Sequence, residues 1–351
     1  MRKNLKKWII YVAVFTLLLA AGCAGGGEEE GPDQTPDQAG QEEKEEIRVG
    51  MVTDVGGLGD QSFNDAAYKG LKRARDELGV KIKVIESNQM TSYVPNLSSL
   101  AEQDYSLVWA IGVLMQDACA EVAETMPDNN FAIVDAIVEK DNVFSATFKE
   151  EEGSFLAGIV AGMMTETNKV GFVGGMDIPS IRKFEAGYIA GVHAVNPDAK
   201  ISSTYTGVFD DPNKGKEQAL ALFGQNVDVV YHASGACGVG VIKAAKENDK
   251  YAIGVDMPQS HLAPDHVLTS MVKRVDLAVF EGAKMVNEDD FKGGTHKSYG
   301  IKEGGIQLEQ EQLEKMTPQE VQDKVEEFKQ KIVDDEITVP DTIEEAENFT
   351  I

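Results

Sequence analysis

The 351-residue chain is short of most of what a catalytic or nucleic-acid-binding protein carries. Basic residues are outnumbered, with 33 Lys and Arg against 59 Asp and Glu and a formal charge of -26. Binding to a phosphate backbone needs a basic face, so nucleic acid is excluded as a partner. The five histidines, His193, His232, His261, His266 and His296, have no ligand spacing, which argues against a metal site. No P-loop, His-Glu-x-x-His, Cys-x-x-Cys or Gly-x-Ser-x-Gly occurs, and no Gly-x-Gly-x-x-Gly follows the first strand. The nearest match, Gly235-Ala236-Cys237-Gly238-Val239-Gly240, has its glycines in the wrong order for a dinucleotide fingerprint. It is either a turn aiming backbone N-H groups into a cleft or a plain tight turn. No cofactor is expected. Cysteines number three. Cys119 and Cys237 fall in opposite halves of the chain, where Cα atoms within about 7 Å are hard to arrange, so both are expected as buried free thiols.

Membrane-spanning length is also lacking at the N-terminus. The apolar stretch from Trp8 to Ala21 has 14 residues, against the roughly 20 that a span needs. Preceded by Arg2, Lys3, Lys6 and Lys7 and followed by Ala20-Ala21-Gly22, it reads as a signal peptide over residues 1–22. Cys23, directly after the small residues, resembles the lipobox cysteine of bacterial lipoproteins. That resemblance implies a diacylglycerol-modified thiol, a lipid anchor and an extracytoplasmic location on the cell membrane; the alternative is an ordinary secretory signal with a chance cysteine. Two acyl chains suffice for stable anchoring. Residues 23–46, with nine acidic residues against Lys44 alone, cannot bury enough surface to fold and read as an acidic tether.

What is there, from Ile47 onward, is an alternation of short apolar runs with amphipathic stretches. Strands are expected at 47–52, 82–85, 107–111, 131–134 and 143–147, with helices at 66–78, 94–102 and 117–126. The same grammar restarts with a helix at 151–164 and a strand at 170–174. Helices at 180–195, 213–223 and 238–248 then alternate with strands at 201–206, 227–232 and 251–255. Late strands fit 267–272 and 301–308, with a helix at 277–286 between them. A tail helix over 318–334 opens on Thr317-Pro318-Gln319-Glu320. This pattern predicts an α/β protein with two doubly wound parallel-sheet domains. The expected lobes are 47–147 plus about 275–300, and 148–274 plus about 301–351, with hinges near Phe148, Pro258 and Val272.

Open α/β sheets place ligands at the carboxyl ends of their strands. Polar and aromatic residues gather there in both halves: Asp54 and Asn64 after the first strand, Gly112, Asp135, Gly174-Gly175-Met176 before Phe184, Ala233-Ser234-Gly235, and Asp256. They converge on one crevice between domains. The loop from Thr53 to Asp65 is the richest, with Ser62 to Asp65 placed to cap the next helix.

Three segments carry a family likeness. They are Met51-Val-Thr-Asp54-Val-Gly-Gly-Leu-Gly-Asp60-Gln-Ser-Phe-Asn64, Gly174-Gly175 with Phe184-x-x-Gly187-Tyr188-x-x-Gly191-Val192, and Gly254-Val255-Asp256-x-x-Gln259 with Ser270-x-x-Lys273-Arg-Val-Asp. Together they resemble the basic membrane protein family of bacterial lipoproteins, purine nucleoside receptor A class. The resemblance implies a type I periplasmic-binding fold and a monomeric lipid-anchored receptor that passes nucleosides to the permease of an ABC importer. By motif, Asn64 sits on the first loop and Tyr68 stacks on the base one helical turn later. Asp135 faces the nucleobase, and Asp256 and Lys273 hold ribose or ring. Phe209 and Phe184 both fit a second stacking role, Gly235 lies on a lining turn, and Asp54 orders the first loop. A sugar or signal molecule in the same fold, or an extracellular enzyme acting on nucleosides, are the competing functions.

Overall fold

The computed structural model describes residues 46–350, so the signal peptide, Cys23 and nearly all of the acidic tether lie outside the described residues. The first sheet is built from β1 (Arg48–Val52), α1 (Phe63–Leu78), β2 (Lys81–Ile85), α2 (Tyr93–Ala101), β3 (Leu107–Ile111), α3 (Gln116–Thr125), β4 (Phe131–Val134) and β5 (Val143–Phe148). A second run follows with α4 (Glu150–Met164), β6 (Lys169–Gly174), α5 (Pro179–Val195), β7 (Lys200–Tyr205), α6 (Pro212–Gly224) and β8 (Val229–Ala233). It continues through α7 (Cys237–Glu247), β9 (Tyr251–Val255) and β10 (Val267–Lys273). The remainder comprises α8 (Val275–Asn287), β11 (Thr295–Tyr299), β12 (Ile306–Leu308), α9 (Gln310–Met316), α10 (Gln319–Val333) and α11 (Ile343–Glu347).

Strand order is β11-β5-β4-β3-β1-β2 in one sheet and β12-β10-β9-β8-β6-β7 in the other. Every pairing is parallel except that of β10 with β12. Fully buried strands such as Leu107–Ile111 read as continuous apolar runs because helices cover both faces. The two sheets thus repeat one winding, in which β1 corresponds to β6, and β4 to β9.

The chain passes between sheets three times, at Phe148–Glu150, Lys273–Val275 and Tyr299–Ile306. The first turn of α4 fastens these passages. Glu150 accepts from Lys273 Nζ at 3.0 Å, Glu152 Oε2 accepts from Ile301 N at 2.7 Å, and Lys149 N donates to Tyr299 O at 3.0 Å. Phe148 stacks on Tyr299 with centroids 5.3 Å apart. The hinge expected at Pro258 is corrected: no passage occurs there, because Pro258 lies in the β9–β10 connection within one sheet. The strand expected over 301–308 also divides. Ile301 to Gly305 forms a turn with Gly304 at φ +70°, and only Ile306–Leu308 pairs. The polar edge strand β11 escaped expectation because its Thr-His-Lys-Ser-Tyr sequence has no apolar period.

Helix α4 packs against α5 closely enough that only glycine fits the seam. A Cβ on Gly191 would lie 2.0 Å from Phe155 O, and one on Gly158 2.3 Å from Tyr188 O. Thr317, expected as part of the α10 start, instead donates its hydroxyl back to Leu313 O of α9 at 2.7 Å. Cys119 and Cys237 are both free and buried. Gly191→Ala is expected to destabilise the fold by about 1–3 kcal/mol in urea denaturation, the overpacking penalty outweighing the helix-propensity gain of alanine; unchanged stability would refute this seam.

Candidate functional site

The loop after β1 is shaped by its own carboxylates. Asp60 accepts from Ser62 N, Asn64 N and Asp65 N at 2.8–3.1 Å and so caps α1, a role that the sequence suggested for Ser62 to Asp65. Asp65 turns back to accept from Gly59 N at 2.9 Å and Gln61 N at 3.0 Å. Asp54 Oδ1 accepts from Gly56 N and Asn64 Nδ2, each at 2.9 Å. Because Asn64 Nδ2 also donates to Asp60 Oδ2 at 3.2 Å, both of its protons are committed and its carboxamide can turn only one way. Asn64 Oδ1 is left buried with no partner among the described residues.

This loop closes one wall of a cavity with about 610 Å³ of atom-free space, part of it open to solvent. Eight of the nine candidate ligand contacts line it: Asp54, Asn64, Asp135, Phe184, Phe209, Gly235, Asp256 and Lys273. Tyr68 does not. The cavity meets only the first turn of α1, and Tyr68 lies a turn further along, half-buried with Lys72 Nζ 4.5 Å from its ring centroid. The aromatic that does line the cavity from this helix is Phe63. Its place beside Asn64 in the sequence was the available signal, and the family resemblance pointed past it to Tyr68. Close approach explains two glycines. A side chain on Gly175 would strike the Phe209 ring at 2.2 Å, and Gly112, at φ +110°, faces Asp54 and Phe63.

Asp135 follows β4 and Asp256 follows β9, and each sits in left-handed backbone, at φ +65° and +63°. Two non-glycine residues held in this conformation at equivalent strand ends is the kind of strain that collects at ligand sites. Lys273, 2% exposed at the end of β10, spans the lobes by donating to Asp135 Oδ2 at 2.6 Å as well as to Glu150. Its Nζ also lies 5.1 Å from the ring centroids of Phe63 and Phe148 and 5.4 Å from that of Phe184. Burial alone would lower its pKa, but Asp135, Glu150 and Asp256 outweigh burial and hold the ammonium charged. Lys273 is the one cation among the described lining residues. Burial pushes Asp54 up to about 6 and Asp256 up to about 7, the latter moderated by Lys273 and by the Ser62 hydroxyl, 2.5 Å from Asp256 Oδ2. Asp135 Oδ1, like Asn64 Oδ1, has no partner among the described residues. Among the described residues no group of His, Cys, Asp and Glu is arranged to hold a metal ion.

Paired doubly wound lobes meeting at a cleft lined by strand ends define a small-molecule-binding protein of the periplasmic-binding class. Residues 47–343 match the family described as ABC transporter substrate-binding protein PnrA-like, and the chain belongs to that family. It is 39% identical to the CD4+ T-cell-stimulating antigen of Listeria innocua, covering 94% of this chain and 96% of that one. It is 36% identical to the ABC transporter nucleoside-binding protein BmpA of Lactococcus lactis, over 96% and 99% of the two chains. A crystal structure of an ABC transporter system solute-binding protein from Aeropyrum pernix superposes with a TM-score of 0.79 at 33% identity, covering 86% of this chain and 96% of that one. The family locates the protein on the extracytoplasmic side, and no helix among the described residues is long and apolar enough to cross a membrane.

Asp256 holds its proton up to about pH 7 when folded, and to about pH 3.9 when unfolded. Its contribution to stability therefore falls as pH rises from about 4 to about 7 and is constant above. Asp256→Asn is expected to raise the melting temperature of the ligand-free protein much more at pH 8 than at pH 4.5 in scanning calorimetry. An equal shift at both pH values would count against this assignment.

Proposed function

We propose that the protein captures nucleosides, purine nucleosides foremost, and delivers them to the permease of an ABC importer while anchored to the membrane through a lipid on Cys23. The observation that carries this reading is the pairing, in one cavity, of the rings of Phe63, Phe184 and Phe209 with the partnerless acceptors Asn64 Oδ1 and Asp135 Oδ1. A nucleoside offers what this set lacks, a flat π face with ring or amino N-H donors and a vicinal diol. Base stacking on an aromatic side chain contributes roughly 1–3 kcal/mol. Asp256 and Lys273, brought to the same cavity from the second lobe, supply an acceptor and a charged donor for hydroxyl groups. The nucleoside-binding name of the Lactococcus relative points the same way.

The electrostatics favour a ligand without phosphate. Asp54, Asp60, Asp135 and Asp256 line the cavity against Lys273 alone, whose charge is already engaged by Asp135 and Glu150. A phosphate group would enter against like charge. Lobe closure about the three passages would exclude water and present a closed form to the permease.

Calorimetry of the soluble form against a nucleoside panel tests the assignment, with micromolar or tighter binding expected for purine nucleosides and none for their monophosphates. Silence across the panel, or binding of simple sugars instead, would overturn it. Phe63→Ala is expected to weaken nucleoside binding at least tenfold and Tyr68→Ala less than twofold, which separates the cavity ring from the candidate that the family resemblance offered.

A further inference from the structure

Beside the cavity, and outside its lining, two consecutive residues of the first lobe meet a short segment of the second. Gln259 is fully buried in the β9–β10 connection, and its carboxamide donates from Nε2 to Gln61 O across the cleft at 2.9 Å. The next residue, Ser62, makes its 2.5 Å bond to Asp256 Oδ2, and at the surface His261 Nε2 lies 3.1 Å from Gln61 Oε1. Gln61 itself is held at φ +52°, with its N-H tied to Asp65. Its carbonyl is thereby aimed by the loop and not by the partner lobe.

Gln259 is oriented just as firmly. Its Oε1 accepts from Val255 N and from His232 Nε2, each at 2.9 Å, and its backbone N donates to Ser270 Oγ at 3.0 Å. The Val255 N-H can only donate, which makes the atom it meets the carboxamide oxygen. His232, facing that same oxygen, must carry its proton on Nε2. Two donors on Oε1 leave Nε2 with one direction to face, toward Gln61. The same segment carries Asp256, so the bond that joins the lobes also sets the position of a cavity carboxylate.

We propose that Gln259 is a positioning residue for ligand retention: its oriented carboxamide clasps Gln61 when the lobes close and thereby sets the rate at which bound ligand escapes. The clasp also holds the empty protein closed, but ligand enters through the open form and must break the clasp to leave, so it acts chiefly on dissociation. Its place in transport rests on the proposed binding function, whereas the clasp itself rests on these contacts.

Gln259→Glu keeps the shape and removes the donor, setting a carboxylate oxygen against the Gln61 carbonyl. With inosine as the probe in stopped-flow fluorescence, its dissociation rate constant is expected to rise at least tenfold and its association rate constant to stay within about threefold. A residue that merely supported the fold would move both constants and the melting temperature together, and that outcome, like an unchanged dissociation rate, overturns the proposal. If Gln259→Glu does not fold by circular dichroism, His261→Ala decides, because it is exposed and touches only the outer clasp contact. A two- to fivefold faster dissociation supports the clasp and an unchanged rate overturns it. If the unmodified protein binds no nucleoside, the functional reading fails separately, and small-angle scattering of the ligand-free proteins tests the clasp. A larger radius of gyration for Gln259→Glu supports it, and equal radii overturn it.

Discussion

The buried ammonium of Lys273 is the interaction on which the rest of this structure depends. It ends β10 immediately before one passage between lobes, pairs with Glu150 immediately after another, and reaches Asp135 on the opposite sheet. A charge taken out of water is tolerated only when its partners are close and well oriented. Here those partners belong to different lobes, and the requirement becomes a geometric constraint. Lys273 is satisfied only if β4, α4 and β10 meet at one point. Removing Lys273 would leave the buried carboxylates without their counter-charge, which ties hinge and cavity to one electrostatic knot.

The doubled winding explains why such a knot can exist. Equivalent strands of two sheets end on the same crevice, so a residue following β4 and one following β9 arrive face to face. Asp135 and Asp256 use this symmetry, both in left-handed backbone that aspartate tolerates better than most residues. Their neighbours then differentiate them. Asp135 keeps one oxygen partnerless beside Lys273, while Asp256 is bonded by Ser62 from across the cleft. One architecture thereby offers two acidic groups with different hydrogen-bonding capacity.

Much of this was legible in the sequence. Alternating apolar runs and amphipathic stretches located the parallel strands, apart from the polar β11, because buried parallel strands leave an unmistakable composition. Eight of the nine candidate contacts fall on the cavity because strand ends are topologically forced into the crevice. What could not be read depended on depth and direction. The family resemblance pointed to Tyr68, one helical turn after Asn64, but the cavity reaches only one turn into α1, and Phe63 is the aromatic that lines it from this helix. The third passage between lobes, at Tyr299–Ile306, falls where the expected lobe boundary near 300 put a crossing, but it was not among the expected hinges because it joins a polar edge strand to a three-residue strand, neither with a hydrophobic period. Asp60 as helix cap, and Glu150 as partner of Lys273, are long-range or loop-shape outcomes that local pattern does not encode.

The same carboxylates that prepare the cavity also weaken the empty fold. Burial raises the pKa of Asp54, Asp60, Glu150 and Asp256 alike, which means each is held in a setting that opposes its charge. A protein selected for stability alone would replace such groups with apolar ones. Their retention around partnerless acceptors is consistent with a site completed by its ligand: donors brought by a neutral molecule would satisfy Asn64 Oδ1 and Asp135 Oδ1 without adding charge. An anionic ligand would deepen the repulsion, and a cationic one would compete with Lys273 for the groups that hold the lobes together. Under the proposed function, the charge balance would select for neutrality first, and the rings and acceptors would then choose among neutral molecules.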